Sequence, residues 1–399
     1  MINLLNNIEG WVHNGYAGNH LQMALNSNVF GGKEFEVYIG ADLADGADTD
    51  VGTFHTSSNS ISMQRLDVEG VTVPSFSPNQ EFEMRTGTGR TAQFDQIFSS
   101  SKRVTTEVSL SGRLTTADLP IFMENVLATA GDGTANDNLF EIGHAYAPTP
   151  FKNQDITGAT VYNKSLSVFF KAPNAADCVK LKGCVVTSLS ISGDMGTASG
   201  RFNYDVTLQT QYAPEFASVS VTSAQSIGST KLFLSDMTER EMNIKNYDTS
   251  DADQDAITPL FNNMTLTIES PTQFLGAQGT NAEPEVFARA VPELTVTVAG
   301  SVKYDIETAK LVEAFHDAGN DSSIQMYMNN RAISNSFADL ATIGIANHAE
   351  QLFGFIVPKA KITSAEVSSD DIASVNFEMK VLSPGSNKFI HIATGATAS

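Results

Sequence analysis

The chain has 399 residues, 41% of them hydrophobic, which is enough for two domains with their own cores and argues against a disordered protein. Its 24 basic and 45 acidic residues give a net charge of −21, so it lacks the basic surface that ordinary groove binding of nucleic acid requires. No apolar run approaches the roughly 20 residues of a membrane-spanning helix, and the N-terminus does not read as a secretory signal, which predicts synthesis in a cytoplasm.

Residues 1–35 are predicted to form an N-terminal arm, because they have no counterpart in the second half of the sequence. Apolar residues between Leu4 and Val12 are spaced for one face of a helix, which Gly10 and Gly15 interrupt. The arm also carries the only tryptophan of the chain. We expect it to dock on its own domain or on a neighbouring subunit.

From residue 36 onward the two halves repeat the same order of patterns, although few residues are identical. Each half opens with a short β-type run, Glu36–Gly40 in the first and Lys231–Ser235 in the second. An acidic loop and a second strand follow: residues 41–50 and 60–66 in the first half, and 248–255 and 263–268 in the second. The polar segments that come next, 67–103 and 269–291, have the length of functional loops.

The clearest repeat is an alternating strand that ends in a glycine, Gly112 in the first half and Gly300 in the second. Each strand precedes an amphipathic helix, and the helices end near Gly131 and Gly319, where a left-handed C-terminal residue is favoured. Both glycine pairs have the same sequence offset of 188. These four residues are the structural glycines of the predicted repeat.

The two helices are predicted from apolar spacing and from capping residues. Residues from Leu119 to Leu127 follow the i, i+3, i+4, i+7, i+8 pattern of one helical face. We expect Thr116 or Asp118 to cap this helix and Asp305 to cap the second, since a side-chain oxygen there accepts the free N–H groups of the first turn.

The last part of each half is predicted to be a β-hairpin, and the offset between the halves changes along it. The aligned pairs are Thr187-Ser188 with Thr363-Ser364 at an offset of 176, and Asn203 with Asn376 and Asp205 with Glu378 at an offset of 173. We expect the three-residue difference to lie in the hairpin loop, 192–200 in the first half and 368–373 in the second, because loops between strands tolerate insertions.

No pattern in the chain predicts catalysis, a metal site or a cofactor. The seven histidines are scattered, and no nucleophile or phosphate-loop motif is present. Asp251–Asp255 begins like a calcium loop, but Ala256 and Asn262 stand where a turn glycine and a bidentate glutamate are needed, so a solvated loop is expected. Cys178 and Cys184 are expected to be free, packed thiols rather than a disulfide or zinc ligands.

Together these patterns predict a mainly β protein with a few helices (α+β). The predicted organisation is the arm, residues 1–35, and two tandem domains, residues 36–218 and 219–399, each a β-sandwich or barrel with one flanking α-helix. A repeated domain of this kind points to assembly by pseudo-symmetry rather than to a catalytic pocket.

The order of strand, long polar loop, strand, glycine, helix and hairpin resembles that of tail tube proteins of long-tailed phages. The stretches that carry the resemblance are Glu107–Leu114 with the helix after it, and Lys180–Gly193 leading into Tyr204–Leu208. The resemblance implies rings in which hairpins from several subunits join into one β-barrel around a lumen. It further implies that the helices pack outside the barrel and that a long loop contacts the next ring.

For a chain with two such domains, the resemblance implies homotrimeric rings that act as pseudo-hexamers and stack into a tube in the virion tail. The tube is then a passive conduit for double-stranded DNA, with tape-measure, tail-tip and terminator proteins as partners and no membrane. A negative lumen suits DNA transit, because a basic wall would retain the phosphates. Asp205 and Glu378 are the candidate lumen-facing acids.

Two other interpretations stay open on the sequence. Another virion structural protein, such as a distal tail or head decoration protein, would share the β-rich composition, but the whole-length duplication counts against it. A secreted β-sandwich pair that binds carbohydrate would need a signal and is commonly stabilised by disulfides, neither of which the sequence predicts. An enzyme on a β-rich scaffold would need converging acids or histidines that the sequence does not reveal.

Overall fold

The computed structural model of the protein describes residues in both halves of the chain. The described residues are 34–41, 63–69, 80–82, 97–99, 106–126, 128–129, 139–143, 166–173, 178–197, 200–212, 214–216, 226–245, 255–275, 286–289, 294–316, 323–330, 353–369, 373–382 and 388–394. Within them the protein is mainly β with few helices, as predicted. No helix in this part of the chain is long and apolar enough to cross a membrane.

Both halves are built from antiparallel strands. The strands of the first half are β1 (Glu36–Ala41), β2 (Gln64–Arg65), β3 (Gln80–Phe82), β4 (Ile97–Ser99), β5 (Thr106–Arg113), β6 (Ala128–Thr129), β7 (Leu139–Gly143), β8 (Leu166–Lys171), β9 (Val179–Asp194), β10 (Asn203–Thr210) and β11 (Glu215–Phe216). The strands of the second half are β12 (Glu239–Lys245), β13 (Asp255–Ile257), β14 (Phe261–Glu269), β15 (Thr272–Leu275), β16 (Val286–Arg289), β17 (Thr295–Lys303), β18 (Ser323–Asn329), β19 (Phe353–Ser368), β20 (Ser374–Val381) and β21 (Lys388–Thr394). The helices are α1 (Asp118–Val126) and α2 (Lys310–His316), with a 3-10 turn at Leu234–Asp236.

Each helix begins with two polar side chains that are three residues apart. At α2 the pair is reciprocal, because Asp305 accepts the backbone N–H of Thr308 at 2.8 Å and Thr308 accepts that of Asp305 at 2.9 Å. This capping box confirms the predicted role of Asp305. At α1 the hydroxyl of Thr115 donates to Asp118 at 2.7 Å. The prediction that Thr116 or Asp118 caps this helix is therefore wrong, because Asp118 accepts from the Thr115 side chain and the carbonyl of Thr115 accepts the N–H of Leu119.

The two halves pair their strands in the same order. β1, β8, β9, β10 and β5 are neighbours in the first half, and β12, β18, β19, β20 and β17 are their equivalents in the second. Gly112 lies opposite Tyr204 in one half, and Gly300 lies opposite Phe377 in the other. Both members of the second pair follow those of the first at the predicted offsets of 188 and 173, so the two halves share this strand register.

Each hairpin contains one β-bulge, in β9 in the first half and in β19 in the second. The bulge of the second hairpin lies two residues further along the strand pair than that of the first. The bulge threonines Thr187 and Thr363, at the predicted offset of 176, donate to the carbonyls of Thr207 and Glu378 at 3.2 Å. The acceptors Thr207 and Glu378 are 171 residues apart in the sequence, whereas equivalent residues of their strands, β10 and β20, are 173 apart. A slide of two keeps every side chain on its face, whereas a slide of one would exchange the faces.

The prediction that the whole three-residue difference lies in the hairpin loop is therefore wrong. Ser190 and Ser364 occupy equivalent places, opposite Asp205 and Glu378, and their offset is 174. The change from 176 to 174 comes from the slide, and only the change from 174 to 173 comes from the loop. The physical reason is that a β-bulge can move along a strand pair without moving any side chain to the other face.

The predicted strand at Lys231–Ser235 is also wrong. This stretch makes two isolated bridges to the first half, from Lys231 to Thr115 and from Phe233 to Arg201, and then enters the 3-10 turn. It does not form a strand because its backbone lies over the end of the first half instead of pairing along a neighbouring strand. The strand that opens the second half is β12. β12 lies beside β18 as β1 lies beside β8 in the first half.

The halves are joined into one 17-stranded sheet within the described residues. β14 pairs with β17 of its own half on one side and with β9 of the first half on the other. The C-terminal strand β21 pairs with β7, which belongs to the first half. Buried apolar residues of both halves form one contiguous core. The boundary between domains 36–218 and 219–399 stays a prediction, because the halves share a sheet and a core.

Several of the predicted features lie outside the residues that the structure describes. The arm up to residue 33, residues 42–50 and 248–254 of the acidic loops, Gly131 and Gly319 lie outside the described residues. Each of the two long polar segments contains a two-stranded ribbon, β3–β4 in the first and β15–β16 in the second. Cys178 and Cys184 are buried thiols that are not joined in a disulfide, as predicted.

Candidate assembly surface

Seven long strands form a continuous sheet with one polar and one apolar face. Their order is β5–β10–β9–β14–β17–β20–β19. Alternating residues, as in β5, send successive side chains to opposite faces. The apolar face packs against α1, where the Phe122 ring lies 5.2 Å from that of Tyr204, and α2 buries Leu311 and Ala314 in the same core. The polar face is therefore turned away from the helices.

The middle of the polar face consists of small hydroxyl side chains. One row across the sheet contains, from β5 to β19, Ser111, Asp205, Ser190, Thr267, Thr297, Lys380 and Lys361. The next row contains, from β5 to β20, Arg113, Asn203, Ser192, Thr265, Ala299 and Glu378. Because most of these side chains are short and neutral, the face is a broad surface with charges mainly toward its two sides.

The two candidate acids lie on this face at equivalent places. Asp205 is opposite Ser111 and Glu378 is opposite Ala299, in each case the residue before the repeated glycine. Both acidic residues are exposed. The sequence alignment of Asp205 with Glu378 is therefore confirmed by the register, whereas their position in a lumen stays a prediction.

Gly112 and Gly300 mark places where a neighbouring segment passes close to the strand. A Cβ at Gly112 would collide with the backbone carbonyl of Asp67 and would lie 2.8 Å from the hydroxyl of Tyr204. A Cβ at Gly300 would lie 2.7 Å from a backbone carbonyl of β14 and 3.3 Å from the Phe377 ring. In both halves an aromatic side chain of the next strand thus fills the space that a side chain at the glycine would need.

The junction between the two halves is a regular strand ladder. β14 pairs with the end of β9, from Asn263 opposite Asp194 to its last residue. On the polar face Ser190 lies opposite Thr267, and their hydroxyls are 3.3 Å apart. The junction therefore combines backbone hydrogen bonds with a neutral, closely fitting polar surface.

The seven-stranded sheet ends in two edges that resemble the two sides of this junction. On β19, no strand of the described residues pairs with the outer side of Ile362–Val367, which is the equivalent of the side of β9 that receives β14. At the other end, Asp67–Glu69 lies along β5 as β14 lies along β17, with Val68 opposite Gly112. Open strand edges are templates for pairing with another chain.

Sequence reasoning missed both edges. It identified the glycines and hairpins but assigned Asp67–Glu69 to the start of a long loop. The available signal was that Val68 precedes Gly112 as Met264 precedes Gly300. The segments between the residues of each pair differ in length by eight residues, and this difference hides the correspondence.

A buried carboxyl lies where α1 meets the sheet. Asp118 is fully buried, and its Oδ1 atom has no hydrogen-bond partner among the described residues. Burial raises the pKa of Asp118 to about 7, although hydrogen bonds from Thr115 oppose the shift. Burial also raises the pKa of Tyr204 above its usual range. An ion pair of 3.4 Å between Arg201 and Asp67 lies in the same region of the first half.

The described residues offer no metal centre as an alternative to the polar face. Among them, no group of three or more histidine, cysteine or acidic side chains could hold a metal ion. No protein-family model and no curated protein matches the chain. The polar face and its two edges are the features on which a functional proposal can be built.

Proposed function

We propose that the protein is a structural virion protein that forms the tail tube of a phage, with three copies per ring and stacked rings as a conduit for DNA. The observation that carries the proposal is that the junction between the halves can be repeated between copies. β19 of one copy and Asp67–Glu69 of the next have the strand positions of β9 and β14. A head-to-tail contact of this kind gives a ring when its rotation closes.

The register of the proposed contact follows from the junction within the chain. There Gly193 lies opposite Met264. The hairpin offset of 174 places Val367 at the equivalent of Gly193, and Val68 is the equivalent of Met264. Val367 is 48% exposed in the single chain, and Val68 is half-buried. Pairing the two edges would cover both valines, which supports this register.

The strand number supports a lumen rather than a filled barrel. The second half supplies the four strands β14, β17, β20 and β19 to the proposed ring. The first half supplies the three strands β5, β10 and β9, with the segment Asp67–Glu69 as the fourth. Three copies would then supply roughly 24 strands, and at about 4.8 Å per strand the backbone circle would be about 37 Å across. Barrels of 16 to 18 strands already leave an aqueous channel.

The polar face suits the wall of a DNA conduit. With the helices outside, the polar face lines the lumen. Its serine and threonine side chains lie in the middle, and Asp205, Glu378, Arg113, Lys361 and Lys380 lie toward its two sides. Hydroxyl groups and a net charge of −21 give the wall little attraction for phosphates, so DNA would pass without being held. Tape-measure, tail-tip and terminator proteins are the proposed partners, and the tail of the virion is the proposed location.

The proposal is tested by negative-stain microscopy and mass measurement of the purified protein, alone and with tail-tip components added as nuclei. We expect three-copy rings or tubes with a central hole. A chain that stays monomeric under every one of these conditions would contradict the proposal, and closed particles without a hole would contradict the conduit.

A further inference from the structure

Two lysines lie directly opposite each other on the polar face of the second half. Lys361 of β19 is the register partner of Lys380 of β20, and both side chains are exposed. Neither lysine makes an ion pair among the described residues, whereas Arg113 on the same face has Glu69 at 3.7 Å. Like charges on directly opposite residues destabilise a strand pair, so this arrangement favours an anion above the two lysines.

The fold does not require lysines at these places. At the offset of 173, the first-half equivalent of Lys380 is Thr207, which lies opposite Ser188. A neutral hydroxyl pair therefore occupies the same position in the other hairpin. Protection of an open edge does not account for Lys380 either, because β20 lies inside the sheet, between β17 and β19.

The acid in the next row of the polar face does not neutralise the lysine pair. Glu378 precedes Lys380 by two residues on the same strand, so the two side chains share a face. The carboxylate of Glu378 accepts a hydrogen bond from the hydroxyl of Thr363 at 3.4 Å. No ion pair joins Glu378 to either lysine in the part of the chain that the structure describes. The second half therefore presents an uncompensated positive pair on this face.

We propose that Lys361 and Lys380 contact the phosphates of the DNA duplex that passes through the tube. The inference rests on the proposed function, since it requires the polar face to be the wall of a lumen. Each copy would bring one such pair, so the pairs would recur at every second half around the ring. Stacked rings would repeat them along the tube.

Side-chain length decides which groups of the wall a duplex meets first. A lysine side chain reaches about 6 Å from the backbone, and serine and threonine reach less than half as far. Taking about 6 Å from each side of a backbone circle of about 37 Å leaves a free width of about 25 Å. The ammonium groups would therefore stand nearer to the phosphates than the hydroxyl groups do.

The lysine contacts are compatible with transit of the DNA. The middle of the wall consists of neutral hydroxyl groups, and the whole chain carries a net charge of −21. Attraction of lysine to phosphate falls steeply as salt is added, because it depends on the release of counterions. Contacts to phosphates position a duplex without reading its sequence. The lysine pairs therefore position any DNA in the lumen without holding it permanently.

The test measures the binding of DNA by assembled tubes. Tubes of the unmodified chain and of the Lys361→Gln/Lys380→Gln double variant are checked by negative-stain microscopy and incubated with a short fluorescent duplex at several salt concentrations. Bound DNA is measured after sedimentation of the tubes. Two phosphate contacts correspond to a salt slope of about 1.8, so between about 50 mM and 200 mM salt the unmodified tubes should lose about tenfold more affinity than the variant.

Lys310→Gln is the matched control for the single variants Lys361→Gln and Lys380→Gln. It also removes one positive charge, but from α2, which packs on the apolar side of the sheet. DNA binding by tubes of this control should equal that of the unmodified tubes, and each single variant should bind less. The single variants also carry the test where the double variant does not assemble.

The outcomes separate this inference from the proposed function. Tubes that lack Lys361 and Lys380 and still bind DNA as the unmodified tubes do would overturn the lysine contact and leave the conduit intact. Equal lysine-dependent binding of a glutamate peptide with the charge of the duplex would assign the pair to an acidic protein segment and overturn the contact with DNA. Failure of the unmodified chain to form tubes would overturn the proposed function, and the lysine contact with it.

Discussion

The junction within the chain and the contact proposed between copies share a backbone arrangement but differ in their side chains. Within the chain Ser192 lies opposite Thr265 on the polar face. The equivalent residues between copies are Glu366 and Glu69, which carry like charges. Because like charges on directly opposite residues destabilise a strand pair, the contact between copies should be weaker than the junction. The difference indicates that a permanent junction uses neutral hydroxyls, whereas a contact formed only on assembly carries a repulsion that solvent ions can screen.

The largest expected effect is on the contact between copies. Val367→Asp would place an unpaired charge at the centre of the proposed strand pair, and a cost of several kcal/mol corresponds to a loss of at least about a hundredfold in assembly affinity. Sedimentation velocity measures the affinity, and circular dichroism checks the fold. Leu382→Asp, at an exposed apolar residue outside the proposed contact, is the matched control and should assemble normally. Equal behaviour of the two variants would contradict the proposed edge.

The repeated glycines give the next effect, on stability. Gly112→Ala should lower the free energy of unfolding by about 3 kcal/mol or more, because its Cβ collides with the carbonyl of Asp67. Gly300→Ala should cost about 1 to 2 kcal/mol, because its closest contacts are longer and the Phe377 ring can shift. Urea unfolding of the two variants measures the difference. The reverse order would mean that the two glycine sites are not constrained as their geometry indicates.

The buried carboxyl at α1 should make stability depend on pH. The folded-state pKa of Asp118, about 7, lies above the ordinary value of 3.8, so the folded state binds this proton more tightly than the unfolded state. Its contribution to the free energy of unfolding is therefore present below pH 3.8 and is lost as the pH rises through about 7. Asp118→Asn keeps an oxygen acceptor for Thr115 and should remove this loss.

Urea unfolding of Asp118→Asn and of the unmodified chain between pH 4 and pH 8 checks this effect, since other carboxyl groups contribute equally to both proteins. The stability difference between them should shift in favour of the variant, by roughly 1 kcal/mol or more, as the pH rises through this range. A difference that stays constant with pH would contradict the assignment to Asp118.

A smaller effect is expected from the charge that distinguishes the two ladders. Glu366→Gln removes one of two facing acids, so assembly at low ionic strength should strengthen by a few-fold, corresponding to roughly 0.5 to 1 kcal/mol. The gain should shrink as salt is added, because salt screens the repulsion. Light scattering during assembly at two salt concentrations measures it. Unchanged assembly of the variant would place Glu366 outside the proposed contact.

The smallest effect on stability is expected at the acids of the polar face. Asp205→Asn combined with Glu378→Gln should change the free energy of unfolding by less than about 0.5 kcal/mol, because both side chains are exposed. DNA delivery by phage that carry both substitutions should be slower, since the wall becomes less negative. Unaffected delivery would remove the charge argument for this pair, while leaving the strand contacts untouched.

Much of the repeat could be predicted from the sequence because local patterns carry it. The glycine and hairpin offsets appear in the alternation of apolar residues, which has the strand period of two, and α1 appears in a helical spacing. The capping role of Asp305 was visible for the same reason. Thr115 was missed as the partner of Asp118 because any of three adjacent residues could begin the helix, and only the hydrogen bond decides among them.

Long-range pairing could not be predicted in the same way. Lys231–Ser235 has the composition of a strand, but it lies over the end of the first half and makes only isolated bridges. Its apolar residues are buried against a surface that is distant in sequence, and no local pattern identifies that surface. The slide of the second hairpin was hidden for a related reason, since a shift of two residues leaves the alternation unchanged.

The sequence by itself determined the fold class and the repeated pattern of strand, glycine and helix, because strand alternation, helical spacing and turn residues act over a few neighbours. Only the tertiary structure decided that the two halves share one sheet through β9 and β14, and which edges at its ends have no partner strand among the described residues. Backbone hydrogen bonds between strands are nearly independent of side-chain identity, so a sequence can specify a strand without specifying its partner.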